Sequence, residues 1–482
     1  MRHGPNSEFS PAAILAASIT LAARLAGVAA MYGFFVLLSR VQGAGAFGQF
    51  VIATTAVQLL ATIARFGFDH GIMRVAGHRL AAGDEAGASA SIGLAISIAF
   101  GGGVALTLLA LPMLGLDIAY AASLRGPRIA ILFTLPVMAA AQVMYAALRA
   151  RHQAARASMS EGIVRPLCAF ALALAATMWW PAEETFALAF FVSWFVAALV
   201  AGSFLRGHIG MSAADVRPLF AAALPMLGVT LLQQNNAALD VLALALAAPP
   251  DVVGHYAAAQ KITHAVLMVF MAITAVFAPY VPALASDREA LGRFYRSTTR
   301  WILIATLPAL IITAALPELP LAFFGPEFVR NGALPLTILS VAVLVHVAIG
   351  PAVYLLMMAG RPSVLLRPYA MAIILTAVAL AALVPSGGAT GAAAAMLISA
   401  IVLRGLLYGV VRRELGVTAR DGRGMVLIAG SIVIAAGAKL LSLTSGAYVA
   451  AAAAMLAFGV LAIPILRTMP LRETLGERDS YS

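Results

Sequence analysis

AAILAASITLAARLAGVAAMYGFFVLLS, residues 12–39, is the stretch that decides the fold. Its 28 residues carry a single charge, Arg24. A helix rising about 1.5 Å per residue needs about 20 apolar residues to cross about 30 Å of hydrocarbon. This run is long enough to do so and too long for the apolar segment of a cleaved signal peptide. It does not alternate apolar and polar residues with period two, so a helix is expected here and not a barrel strand.

The pattern recurs along the whole chain. Fourteen such stretches are read, from Ala12–Ser39 and Phe47–Ile63 through Ile163–Trp180 and Leu219–Ala248 to Met425–Leu443 and Ala447–Leu466. Of the 482 residues, 62% are hydrophobic and 11% charged. Soluble domains hold about 45–50% apolar and about 25% charged residues, which rules out a soluble globule. The expectation is an all-α polytopic membrane protein with about fourteen transmembrane helices. Between spans two and three, Asp69–Asp84 reads as an interfacial helix with Ile72, Met73, Ala76 and Leu80 on one face.

The formal charge of +11 is arranged by side. With the N-terminus inside, Arg40, Arg125, Arg128 and Arg330 fall on outer loops. Arg24, Arg65, Lys261, Arg404 and Lys439 fall within spans, and the other 22 of the 31 basic residues, Arg165 included, fall on inner segments. That asymmetry places both termini in the cytoplasm. It also excludes a nucleic-acid partner, which would need a basic face on a soluble domain. Cys168 is the only cysteine, so disulfides within the chain and thiolate metal clusters are excluded. Neither lysine is followed by Ser or Thr, and no His-Glu-x-x-His pair or nucleophile elbow occurs. No metal, cofactor or enzymatic activity is expected.

A repeat organises the chain. Gly48-Gln49-Phe50 after span one matches Gly254-His255-Tyr256 after span seven, 206 residues on. Arg165-Pro166 entering span five matches Arg367-Pro368 entering span eleven, 202 residues on. Two matches at nearly one offset argue for a duplicated six-span unit. The expected domains are an N-terminal lobe of spans one to six (1–212), a C-terminal lobe of spans seven to twelve (213–416), and an appended pair with a tail (417–482). An even number of spans per copy implies a pseudo-two-fold axis along the membrane normal and a cavity between the copies.

Ionisable groups at membrane depth cost at least about 2.5–3.5 kcal/mol each, so they mark function or a partner. Span seven carries Thr230, Gln233, Gln234, Asn235, Asn236 and Asp240, with Thr230, Gln233 and Asp240 on one helical face. Gln233 and Asn236 line a cavity or glue the bundle. Asp240 lies ten residues before Pro250 and Lys261 eleven after it, so an antiparallel hairpin places them at similar depth. They form a static ion pair or one switched by a proton, a cation or an anionic substrate. Arg24 cannot shed its proton in mid-span and needs an acceptor or an anionic ligand, phosphate matching its fork well. Arg65 and Arg404 either join it or snorkel from inner span ends. His264 and His346 are either proton carriers or packed hydrogen-bonding residues.

These residues resemble a known family. Arg24, the Gly43-Ala44-Gly45-Ala46-Phe47-Gly48-Gln49-Phe50 turn, Phe66-Gly67-Phe68-Asp69, Pro225, Asp240 and Val253-Gly254-His255-Tyr256 are similar to the polysaccharide (O-antigen type) flippase family of the multidrug/oligosaccharidyl-lipid/polysaccharide exporter superfamily. The resemblance implies two six-helix lobes around a cavity of alternating access. It implies a polyprenyl-diphosphate-linked oligosaccharide moved from the inner to the outer leaflet for cell-surface polysaccharide. Membrane lipids, polysaccharide assembly enzymes and a coupling cation (H+ or Na+) are the other partners implied. On this reading Arg24, Arg65 and Arg404 hold the diphosphate, Gln233 and Asn236 meet sugar hydroxyls, and Asp240 and Lys261 couple or gate. Three alternatives stay open: a lipid II-type flippase, a cation-coupled multidrug exporter, and a membrane polysaccharide polymerase or glycosyltransferase. The lipid II relatives share Arg24-Leu25-Ala26-Gly27, but Val28-Ala29-Ala30-Met31 stands where they carry a further Arg-Asp.

Overall fold

The computed structural model describes residues 11–115, 127–179, 182–210, 216–277, 280–284 and 287–467. Among the described residues, eleven helices are long and apolar enough to cross a membrane. Two of these join a pair of spans across one non-helical glycine, Gly43 (φ 77°) in Pro11–Ala64 and Gly388 (φ 51°) in Leu366–Leu415. Counting both members of each pair, and adding the seventh span, Val216–Ala247, gives fourteen. Large apolar side chains such as Leu109 (69%), Leu443 (75%) and Val460 (75%) stand exposed on these helices. Surfaces of that kind need lipid, and the chain is a multi-pass membrane protein.

Contacts divide the chain into two compact units, Met1–Ala238 and Leu239–Ser482. The division falls inside span seven and not in the loop before it, where the sequence reading set 212/213. The reason is local. The first half of span seven packs on the end of span two and the interfacial helix Phe68–Ala81, with Phe220 against Phe66 and Phe68 at ring distances of 5.8 and 5.0 Å. Gly67 has φ 77°, and a Cβ there would lie 2.5 Å from the Ala223 carbonyl oxygen, so only glycine allows this approach. The interfacial helix buries Phe68, Gly71, Ile72 and Ala76. Met73 is 39% exposed, because the helix leans on span seven through Gly71 and turns Met73 outward.

In the first unit, span four (Pro127–Ala150) packs against the helix that holds spans one and two and against spans three and six. It does so with small side chains: Ala139, Ala141, Ala146 and Ala147 are fully buried. Without a hydrophobic force between helices in lipid, close backbone approach is what holds them. Gly103 of the triple-glycine run sits where a Cβ would be 2.5 Å from Pro136 Cα, and Gly102 similarly faces the Ala64 carbonyl. Span five is longer than the sequence reading gave. Its helix begins at Ala154, passes through a π-helical turn at Ser160–Val164 and continues as Arg165–Trp179. The π turn is where span one crosses: a Cβ on Gly27 would lie 1.8 Å from the Gly162 carbonyl oxygen.

In the second unit, span eight (Pro250–Phe277) packs on spans nine (Arg288–Ala315) and ten. Span ten runs from Pro326 to Ala348, breaks at Gly350 and Pro351, and resumes as Ala352–Met358. Spans thirteen (Gly422–Ser445) and fourteen (Ala447–Arg467) join this unit by packing Leu427 and Phe458 into a cluster with Ile302, Leu303 and Leu310 of span nine.

Candidate functional site

Among the described residues Asp240 is the most enclosed acid of the second unit, 2% exposed. Tyr256 and Gln260 stand four residues apart on span eight and therefore share a face. The Tyr256 hydroxyl donates to Asp240 Oδ2 at 2.6 Å and Gln260 Nε2 donates to the same oxygen at 2.8 Å. The Val241 amide donates to Oδ1 at 2.8 Å. Lys261, next in the chain after Gln260, lies close enough for its charge to act on Asp240. The structure therefore gathers Asp240 and Lys261 in one neighbourhood, but the direct hydrogen bonds to the carboxylate come from Tyr256 and Gln260. The sequence reading passed over these two, although polar residues at i and i+4 in an apolar helix carried a readable signal.

Arg404 belongs to span twelve. Its helix continues to Leu415, so Arg404 lies eleven residues from the helix end and not at it. At about 1.5 Å per residue that is about 16 Å along the helix axis. Its Nη2 sits 2.6 Å from His346 Nδ1 on span ten. A guanidinium only donates, so Nδ1 is the acceptor and the His346 proton is assigned to Nε2. Phe270 packs edge-on against the His346 ring at 4.9 Å. Tyr295 and Tyr369 are the other ionisable neighbours of Arg404, and among the described residues no carboxylate pairs with it. Tyr295 also donates its hydroxyl to the Ile349 carbonyl, one of the acceptors freed where span ten breaks. A small pocket opens beside that break, lined by Thr274, Tyr295, Thr298, Pro351 and Tyr354.

Arg65 closes span two. Its side chain is 2% exposed and turned inward, with Nε 3.2 Å from Asp69 Oδ2. Phe66 (φ 52°) and Gly67 (φ 77°) bend the chain between the two partners, so the ion pair bridges the bend. The bend folds the Arg65 guanidinium against the acid four residues on.

Arg24, Gln233 and Asn236 stand on described helix backbone, but their side chains lie outside the described residues. Arg165 was counted with the inner loops because Arg-Pro reads as a helix start. It lies eleven residues after the helix begins at Ala154. Its guanidinium covers the ring of Trp194 on span six at 4.9 Å. Nothing in the polar sequence Arg151–Glu161 announced a helix, and this is why the residue was missed.

The fourteen spans read among the described residues, in two units, with a buried acid and half-buried cations within the spans, form an all-helical membrane fold. The fold matches the lipid II flippase MurJ in an inward closed conformation, at 12% identity and a TM-score of 0.76, over 93% of this chain and 99% of that one. It matches an inward-facing multidrug resistance MATE family transporter of the MOP superfamily, at 15% identity and a TM-score of 0.66, over 83% and 98%. A MOP superfamily transporter from Pyrococcus furiosus, described by the reverse polarity of its binding pocket, matches at 14% identity and a TM-score of 0.53, over 82% and 96%. No curated protein matches the sequence. The chain belongs to the polysaccharide biosynthesis protein family, whose family model matches residues 16–285.

Proposed function

We propose that this protein is a flippase. It carries a polyprenyl-diphosphate-linked oligosaccharide from the inner to the outer leaflet of a bacterial cytoplasmic membrane by alternating access, with both termini in the cytoplasm. The observation that carries the reading is Arg404: a permanent cation about 16 Å inside its helix, held by an uncharged His346 acceptor, with no carboxylate partner among the described residues. Such a group is complementary to an anion that arrives and leaves. Arg24 joins Arg404 on the diphosphate, and Gln233 and Asn236 meet sugar hydroxyls. Arg65 acts through its pair with Asp69. A diphosphate bare in hydrocarbon is prohibitively costly, so shielding it is the service performed and no bond needs to be made or broken.

Asp240 and Lys261 supply the coupling element, their balance altered by H+ or Na+. A multidrug exporter for cationic drugs is disfavoured by Lys261 and Arg404, two half-buried cations of the second unit set against Asp240, the buried acid among its described residues. The test is transfer of a lipid-linked diphosphate sugar in liposomes. Arg404→Ala and Arg24→Ala are each expected to slow transfer at least about tenfold, the loss of one charge-assisted contact. Transfer at the wild-type rate by both variants removes the diphosphate role.

A further inference from the structure

The first unit contains a group of donors for which the proposed transport cycle has no use. Tyr145 on span four is 1% exposed and Trp194 on span six is 6% exposed. Arg165 on span five lies over the Trp194 ring at 4.9 Å and close enough to Tyr145 for its charge to act there. Among the described residues, the Tyr145 hydroxyl, the Trp194 indole nitrogen and Arg165 Nε are all buried without a hydrogen-bond partner. The contact recorded for Arg165 Nη1 is the thioether of Met31 at 4.0 Å, a weak acceptor. Indole and guanidinium nitrogens only donate, so what three helices lack at this point is an acceptor.

The charges around it are also unbalanced. Glu161, one turn before Arg165, is the nearby acid, and it is already paired with Arg149. It also acts on Arg65, whose own partner is Asp69. Among the described residues Arg165 itself has no carboxylate in an ion pair with it. A water would accept from two donors but bring no charge; an anion supplies both. Tyr145 and Trp194 are nearly fully buried, which favours a small anion over a sugar acid or a diphosphate.

We propose that the first unit holds one small monovalent anion of the halide class, bound by Arg165, Tyr145 and Trp194 in the interior of spans four, five and six. The site does not depend on what the protein transports.

The test uses the full chain with Trp179→Phe, Trp180→Phe and Trp301→Phe, so that Trp194 is the one fluorophore. Bromide, a heavy-atom quencher, is titrated at constant ionic strength against gluconate. The quenching is expected to saturate, and chloride, a poor quencher, to shift the midpoint upward in proportion to its concentration. Tyr145→Phe keeps the ring and removes one donor, and should raise the midpoint about five- to tenfold. Arg165→Met should abolish saturation, while Arg165→Lys keeps the charge and retains a weakened site. Quenching that is linear in bromide and indifferent to chloride means that water fills the site, and overturns the proposal. So does saturation that Tyr145→Phe leaves unchanged. If the tryptophan background does not fold, the unfolding temperature of the unmodified chain in chloride and in gluconate decides. Chloride should raise it and Tyr145→Phe should remove the difference; no difference in the unmodified chain overturns the proposal.

Discussion

Replacing Asp69 by Asn is the sharpest test of how the first unit is held. The change keeps the shape and removes the charge facing Arg65, whose side chain is 2% exposed. At the observed 3.2 Å, unit charges in an effective dielectric of about 20 attract by about 5 kcal/mol. Breaking a buried pair by removing one partner costs about 3–5 kcal/mol, because the remaining charge is stranded. Glu161 also acts on Arg65 and softens the loss, so about 3 kcal/mol is expected. Arg65→Met strands Asp69 instead, which is 16% exposed and partly solvated, and should cost less. The double variant Arg65→Met with Asp69→Leu removes both charges and should fall within about 1 kcal/mol of wild type. The assay is the temperature at which the folded protein is lost on gel filtration after heating in detergent, with the inactivation rate at one temperature as a check. The expected order of stability is wild type and double variant, then Arg65→Met, then Asp69→Asn. The reasoning is refuted if Asp69→Asn survives heating as wild type does, or if the double variant is less stable than either single one.

Two further outcomes follow from the same geometry. Gly101→Ala should be nearly neutral, since nothing lies within 4 Å of a Cβ there, whereas Gly103→Ala meets Pro136 and should cost about 1–3 kcal/mol in the same heating assay. Tyr256→Phe removes one of the hydrogen bonds to the buried Asp240 carboxylate and should cost about 1–3 kcal/mol. It should also shift the dependence of transport on Na+ or H+ concentration, while Phe270→Leu, remote from Asp240, should not.

The spans were legible because lipid permits only long apolar helices, and runs such as Ala12–Ser39 satisfy that rule in the letters themselves. Gly102 and Gly103 meet Ala64 and Pro136 closely because small side chains are the way helices meet without a hydrophobic force. Asp240 stood out because an acid in a span needs an explanation. Its partners Tyr256 and Gln260 did not, since polar but uncharged groups are inexpensive enough in a span to pass as packing. Depth was the weakest reading. Arg165 and Arg404 were assigned to helix ends, because hydropathy fades where a helix enters polar surroundings while the helix itself continues. The division inside span seven was not legible at all. It is set by Gly67, Gly71 and Phe220, residues that meet only in three dimensions.

The most direct measurement of the central claim compares two lipids in liposomes containing the purified protein. One carries an oligosaccharide on a prenyl diphosphate; the other carries the same oligosaccharide on a neutral prenyl linkage. Transfer is read as accessibility of the sugar at the far leaflet. The diphosphate lipid should cross at least about tenfold faster than the neutral one, and Arg404→Ala should erase that difference. Equal transfer of both lipids by the wild-type protein, or a preference that survives in Arg404→Ala and Arg24→Ala, contradicts the claim that these guanidiniums carry the headgroup.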